Sequence, residues 1–204
     1  MKVKQAMRAR HVMKLALAAP MAILLAGCVS LGEDPPDSLL TLTSEQVAPA
    51  GAAQTSSRGR TILIHEPGVP AEIDVTRLPV RVNDTEVAYL QDALWVEKPA
   101  RLFRRLVAET VRARTDRLVL DGDDPAFAGG DALRGTLRRF GYDAASSSVV
   151  VQFDAIRAGA DGQLVSKRFE ASETGIPATA GPVGEALNRA ANDVARQLAD
   201  WLAS

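Results

Sequence analysis

The sequence contains few cysteine, histidine and aromatic residues. Among its 204 residues there are one cysteine and two histidines, and aromatic residues make up 4%. A single cysteine excludes an intramolecular disulfide. Beyond residue 27 only Cys28 and His65 could supply thiolate or imidazole ligands, too few for a zinc site. We therefore expect no metal site, no cofactor, and a core built mainly from Leu, Val, Ile and Ala.

Catalytic signatures are scarce as well. A serine hydrolase needs a histidine base beside its nucleophile, and the chain has neither a Gly-x-Ser-x-Gly elbow nor a choice of histidines. No phosphate-binding loop or dinucleotide fingerprint occurs. No motif selects a pair of carboxylates for glycoside hydrolysis. The sequence is therefore predicted not to be an enzyme.

The formal net charge of −1 averages two unlike parts of the chain. Residues 1–27 hold five basic residues and no acidic one, so the remainder has 19 basic against 25 acidic residues. Nucleic-acid binding requires a basic face, which a mildly acidic body lacks. Nucleic acid is therefore not expected as a partner.

The first 27 residues have the form of a signal peptide. A basic stretch to Lys14 precedes an apolar run, Leu15 to Ala26, which is shorter than the roughly 20 residues needed to cross a bilayer. The run ends in Leu25-Ala26-Gly27-Cys28, which matches the bacterial lipobox. This match predicts that Cys28 is lipidated. Several acyl chains would anchor the protein stably, because each buried methylene contributes about 0.8 kcal/mol. An ordinary signal peptide with a chance cysteine is the alternative.

The remaining chain divides into a linker and one domain. Residues 28–60, rich in Pro, Gly, Ser and Ala, are expected to be the lipidated cysteine and a flexible linker with a candidate first strand at 38–43. Ten extended residues from Cys28 to Ser38 would reach about 33 Å. Residues 61–204 are expected to form a single periplasmic domain.

Hydrophobic periodicity in residues 61–204 predicts two amphipathic helices, 98–114 and from Pro182 to the C-terminus. Alternating or continuous apolar runs predict strands at 61–65, 78–82, 86–90, 117–120, 132–142, 148–156 and 163–172. Imperfect alternation within 132–142 suggests a bulge. The predicted fold class is α+β, a mostly antiparallel sheet with both helices packed on one face.

Residues 62–111, ILIHEPGVPAEIDVTRLPVRVNDTEVAYLQDALWVEKPARLFRRLVAETV, carry a recognisable order of features. A Pro-containing loop and Asp74 precede a strand with Val80-Arg81. A V-x-Y strand with Tyr89 comes next, and Trp95 precedes the first helix. This stretch resembles the ABC-type transport auxiliary lipoproteins, the PqiC-like group. The elements up to Trp201 follow the family order, with one departure: the chain has Leu40-Thr41-Leu42 where the family often has Tyr-x-Leu.

The resemblance implies a lipid-anchored periplasmic subunit of an MCE-type ABC transport system that moves phospholipid or other hydrophobic substrates between the inner and outer membranes. Its implied partners are an MCE-domain protein and the ABC permease and ATPase complex, which it would dock to and tether. An outer-membrane assembly or secretion-associated structural lipoprotein is the alternative. Val29 after the cysteine favours the periplasmic face of the outer membrane; inner-membrane retention and a homo-oligomer are left open.

Seven residues are candidates for partner contacts or packing. They are Trp95, Tyr89, Asp74, Arg81, and the first-helix arginines Arg101, Arg104 and Arg105. Trp95 is expected to be a packing anchor, because Trp buries a large area. Asp74 and Arg81 could pair with each other or with a partner. The arginines could face an acidic partner, anionic headgroups or only solvent.

Overall fold

The computed structural model describes residues 38–51, 60–121 and 131–204 of the chain. The predicted signal peptide and Cys28 lie outside the described residues. Within them lie seven strands and two helices: β1 Thr61–Ile64, β2 Arg77–Arg81, β3 Val87–Leu94, α1 Pro99–Arg114, β4 Leu118–Leu120, β5 Asp131–Asp143, β6 Ser148–Ala158, β7 Leu164–Thr174 and α2 Ala180–Ala203. No helix of these ranges is long and apolar enough to cross a membrane.

The long strand β5 organises the sheet. One of its edges pairs antiparallel with β6 along its length, and β6 pairs antiparallel with β7. The other edge pairs in parallel with β1 near its start and with β2 near its end. Strand β4 extends the first branch in parallel, and β3 extends the second in antiparallel. The sheet is therefore mixed but mostly antiparallel, which confirms the predicted α+β class.

The predicted bulge lies in the middle of β5. The register against β6 shifts between Leu137 and Arg139. The chain between β1 and β2 also follows this strand, since Gly68 N donates to Gly135 O at 3.0 Å and Leu137 N donates to Gly68 O at 2.9 Å. The extra residue at the bulge changes the local twist of β5, between the points where β1 and β2 attach.

One face of the sheet is covered by the helices. Along β6, Val149, Val151, Phe153 and Ala155 are buried while Gln152 and Asp154 on the opposite face are only half-buried, as the alternation predicted. Helix α2 covers β6 and β7, and α1 packs beside α2. The buried stripe of α2 consists of Val183, Ala186, Leu187, Ala190, Val194, Leu198 and Leu202. Trp201 continues this stripe but is only half-buried, with its ring 5.5 Å from that of Phe169.

The two helices run in the same direction. Near their C-termini, Arg114 of α1 forms an ion pair with Asp200 of α2 at 2.7 Å. Near their N-termini, Leu40 connects them, because it bridges to Trp95 just before α1 and contacts Gly184 in α2. The molecule therefore has an end where both helices begin and an end where both finish.

Residues 40–48 differ from the flexible linker expected there, because they pack against both helices. We call this segment the strap. The candidate strand at 38–43 is reduced to a single bridge, in which Leu40 N donates to Leu94 O at 2.7 Å and Val96 N donates to Leu40 O at 2.9 Å. The physical reason is that Leu40 and Leu42 can be partly buried against the core, while helix side chains satisfy the strap backbone.

Candidate functional site

The strap is held on α2 by two asparagines one helical turn apart. Thr43 N donates to Asn188 Oδ1 at 2.8 Å, and Glu45 N donates to Asn192 Oδ1 at 2.9 Å. Asn192 Nδ2 in turn donates to Thr43 O at 3.0 Å. Asn192 is 1% exposed, so its amide would be costly to bury without the strap as partner. These side chains act as a substitute for a neighbouring strand.

The far part of the strap is held by both helices. Ala48 N donates to Glu109 Oε1 of α1 at 2.8 Å, and Arg196 of α2 pairs with Glu45 at 3.2 Å. The strap thus follows α2 from Gly184 towards Arg196 as residue numbers rise. Towards lower numbers, and hence towards the predicted lipid at Cys28, the chain leaves at the end where the helices begin.

Trp95 lies at the point where the strap meets the sheet. It is 2% exposed, and its ring centroid lies 5.3 Å from that of Phe140. Its backbone N donates to Thr76 O at 2.7 Å, and its two neighbours hold Leu40 by backbone hydrogen bonds. Among the described residues its indole nitrogen has no hydrogen-bond partner. The geometry gives Trp95 a packing position, at the root of the strap.

The other residues of the resembling stretch are spread over separate contacts. The guanidinium of Arg77 lies 4.5 Å from the ring centroid of Tyr89, a cation–π distance. Asp74 pairs with Lys98 at 3.0 Å, with both side chains about half exposed, and not with Arg81. No ion pair of Arg81 occurs within the part of the chain that the structure describes. The structure does not bring these residues together into one site.

The arginines of α1 do not form an unpaired basic face. Arg101 pairs with Glu66 at 3.5 Å, and Arg105 pairs with Glu97 at 3.0 Å. Arg104 has no ion pair in the described ranges, and its Nε is buried without a hydrogen-bond partner there. Two of the three charges are therefore neutralised by neighbours from the same domain.

A charged cluster lies on the open face of the sheet, the face that the helices do not cover. This cluster was not predicted from the sequence. Asp154 of β6 accepts hydrogen bonds from Arg168 of β7 at 2.5 Å and from Arg138 of β5 at 3.0 Å. The bond from Arg168, aided by that from Arg138, lowers the pKa of Asp154 to about 2, against the desolvation that raises it. The three side chains of the cluster line a depression of about 520 Å³. Because its members come from three strands, only the sheet pairing reveals it.

A second carboxylate, buried at the start of β5, links β6 and the residue before β4. Asp131 is 6% exposed and pairs with Arg117 at 2.7 Å and with Arg157 at 3.0 Å. Burial raises the pKa of Asp131, but hydrogen bonds from Arg117, Ala160 N and Arg157 outweigh burial and lower it. Both clusters are ion pairs between strands. Among the described residues no group of three His, Cys, Asp or Glu side chains could hold a metal ion.

Solved structures of other proteins share this fold at low sequence identity. A crystal structure of a Xanthomonas campestris protein has a TM-score of 0.64 at 18% identity, covering 80% of this chain and 94% of that one. A crystal structure of an uncharacterized protein has a TM-score of 0.62 at 12% identity, covering 81% and 99%. A PelC dodecamer from Paraburkholderia phytofirmans has a TM-score of 0.46 at 13% identity, covering 73% and 91%. No curated protein is significantly similar in sequence.

The family assignment comes from the sequence itself. The family model described as ABC-type transport auxiliary lipoprotein component matches residues 40–199. The match begins at Leu40, the first residue of the strap, and extends through both helices and every strand described above. The chain therefore belongs to the ABC-type transport auxiliary lipoprotein components.

Proposed function

We propose that this chain is the lipid-anchored periplasmic subunit of an MCE-type ABC transport system that moves phospholipid or another hydrophobic substrate between the inner and outer membranes. It acts by docking and tethering, not by catalysis. Its lipid is carried by Cys28 on the periplasmic face of the outer membrane. Its partners are the MCE-domain protein and the ABC permease and ATPase complex.

The observation that carries this proposal is the strap. Residues 40–48 follow the lipobox cysteine by only about a dozen residues, and they pack against both helices. A lipid at Cys28 would thus be separated from Ser38, the first residue that the structure describes, by about 33 Å at most. With residues 28–60 entirely free, the same tether would be about three times longer. A short tether suits a subunit that holds a partner close to one membrane.

The test is chemical crosslinking in the native host, followed by purification of the tagged full-length chain from membranes and identification of the adducts by mass. We expect an MCE-domain protein and ABC permease among the adducts. Adducts with an outer-membrane barrel alone would reject the transport assignment. The family membership would stand in either case.

Cys28→Ala is the matched control for the anchor. We expect the variant to be soluble in the periplasm or to be retained as an uncleaved precursor, because the thiol that accepts the lipid is gone. Cleaved protein that still fractionates with membranes would exclude lipidation at Cys28. Cys28→Ala should also reduce the yield of transport-system adducts, since the tether raises the local concentration of the two partners.

A further inference from the structure

Strand β7 is an open edge of the sheet, and its first residues lie beside Trp201, near the C-terminus of α2. Strand β6 pairs with one side of β7, and no strand of the described ranges pairs with the other side. Its first five residues, from Leu164 to Arg168, are all exposed. An exposed strand edge offers unpaired backbone groups to another extended chain. We propose that this edge docks an extended segment of the partner protein, which adds as a further strand.

The hydrogen-bonding register of β7 identifies which of its backbone N–H and C=O groups point away from β6. Gly159 N donates to Gln163 O at 2.8 Å, so this pair is a hydrogen-bonded pair of the hairpin. Hydrogen-bonded pairs alternate in antiparallel strands, and the register pairs Ala158 with Leu164. The N–H and C=O groups of Leu164, Ser166 and Arg168 therefore point away from β6. The carbonyl of the next such residue, Glu170, is already used by Gln197 Nε2 at 3.4 Å.

Apolar side chains flank this edge on both faces. On the open face, Leu164 is 72% and Ile156 is 42% exposed. On the helix face, Val165 is 48% exposed and lines a depression of about 200 Å³ together with Trp201. Successive side chains of an added strand point to alternate faces, so both sets would meet apolar neighbours. We call Ile156, Leu164, Val165 and Trp201 the hairpin-end surface.

The charge beside this surface indicates the chemistry of the segment. Lys167 lies two residues after Val165, and its ammonium lies 5.0 Å from the Phe169 ring without an ion pair among the described residues, whereas Arg168 is paired with Asp154. A segment with alternating apolar and acidic residues would complement Lys167 and the apolar flanks. The hairpin-end surface thus favours an acidic, extended protein segment.

The position of the tether argues against the membrane as the occupant. The chain leaves the body beside Gly184, and seventeen residues of α2 separate that point from Trp201, about 26 Å at 1.5 Å per residue. The ten residue steps from Cys28 to Ser38 span about 33 Å at most. If the hairpin-end surface inserted into the anchoring membrane, the tether would have to span most of the length of α2 to reach that membrane.

The same geometry argues against antiparallel pairing between the β7 edges of two copies of the chain. The charges of β7 would allow self-pairing, because Lys167 and Arg168 precede Glu170 and Glu173. Antiparallel self-pairing, however, reverses the second molecule. Its tether would then leave from the end remote from the shared membrane. A segment of a different protein carries no such constraint. This inference rests on the proposed function, because it names the surface by which the tethered subunit holds its partner.

The experiment places a photo-crosslinking amino acid at residue 164 of the full-length lipidated chain in its native host. Residue 82 is the matched control, since Val82 is 37% exposed in the turn between β2 and β3. We expect position 164, and not position 82, to give an adduct with a protein of the transport system. Adducts with lipid or with a second copy of the chain would overturn the inference.

Ser166→Pro tests strand addition itself. Proline removes an outward N–H and is tolerated on edge strands, and losing one hydrogen bond of about 1 kcal/mol corresponds to about fivefold weaker binding. We expect a similar loss of the adduct from position 164, with Ser166→Thr unchanged. An adduct that survives Ser166→Pro would reject strand addition.

Leu164→Lys provides a second variant if Ser166→Pro alters folding, because Leu164 is mostly exposed. With the probe moved to position 165, we expect Leu164→Lys to lower the adduct yield as well, and an unchanged yield would count against the apolar contact. If a transport component crosslinks elsewhere but never at positions 164 or 165, this inference fails while the proposed function holds. If no transport component is captured anywhere on the chain, the proposed function fails.

Discussion

Leu40 occupies the space that a side chain at Gly184 would need. A Cβ on residue 184 would lie 2.6 Å from Leu40 Cδ2, closer than real Cβ contacts. Glycine in a helix interior is destabilising by about 0.5–1 kcal/mol relative to alanine. Its presence in α2 is explained by the strap, whose first residue lies directly on the helix backbone. The strap and α2 therefore depend on each other.

We expect Leu40 to reduce the stability gain from Gly184→Ala. In the native background the end of the Leu40 side chain must turn away from the new methyl group, so the gain in unfolding free energy should be less than about 0.5 kcal/mol. In a Leu40→Ala background the space is free, and the same substitution should stabilise by about 0.5–1 kcal/mol. Urea unfolding of the four variants measures the coupling. Additive effects would show that Leu40 does not rest on α2.

Asn192→Ala should release the strap without disrupting the sheet. The substitution removes the acceptor of Glu45 N and the donor to Thr43 O, and we expect a loss of about 1–3 kcal/mol. Amide hydrogen exchange should accelerate at Glu45 while remaining slow in β5 and β6. Asn188→Ala is the control, since it removes one bond, to Thr43 N, and should have a smaller effect. Unchanged exchange at Glu45 in Asn192→Ala would contradict this assignment.

Asp131→Asn should be among the most destabilising conservative changes in the chain. The substitution leaves Arg117 and Arg157, which are 16% and 26% exposed, without their shared carboxylate. Removing one partner of a buried ion pair typically costs about 3 kcal/mol or more. Thermal and urea unfolding measure the loss. Asp143→Asn, which disrupts a more exposed pair with Arg139, should cost clearly less; equal costs would show that burial of Asp131 does not matter.

Periodic features of this protein could be predicted from its sequence. The alternation of Val149, Val151 and Phe153 with polar residues identified the buried face of β6, because strand side chains alternate with a period of two. The apolar stripe of α2 was visible at helical spacing for the same kind of reason. Trp201 continues that stripe, but its ring packs on Phe169 of the edge strand β7, beyond which no further strand of the described residues covers it.

The strap and the ion pairs could not be predicted in this way. The strap is short and nearly without period, and its partners Asn188 and Asn192 lie 145 and 147 residues away from the amides they bind. Asp154 meets Arg138 and Arg168 only after three strands have taken their register. Such contacts depend on tertiary pairing, which no local pattern in one sequence encodes. The same limit applies to the open edge of β7.

Protonation of Asp154 should lower the free energy of unfolding as the pH falls. The pH window lies between the pKa of Asp154 in the folded protein and that of an unperturbed aspartate. The hydrogen bond from Arg168, with that from Arg138, holds the pKa at about 2 in the folded protein, against 3.8 for an unperturbed aspartate. A carboxyl with a lowered folded pKa binds more protons when unfolded. Its contribution is therefore complete above about pH 4 and is lost as the pH falls towards 2.

Asp154→Asn should flatten this part of the pH dependence, because the amide does not titrate. Both arginines are more than half exposed, so solvent screening should keep the difference from the native chain at pH 7 below about 1 kcal/mol. Urea unfolding at intervals between pH 2 and 5 measures both curves, and 1 M salt should bring them closer together because the Debye length falls to about 3 Å. Parallel curves for the two proteins across the window would show that Asp154 does not carry this charge-assisted contact between β5, β6 and β7.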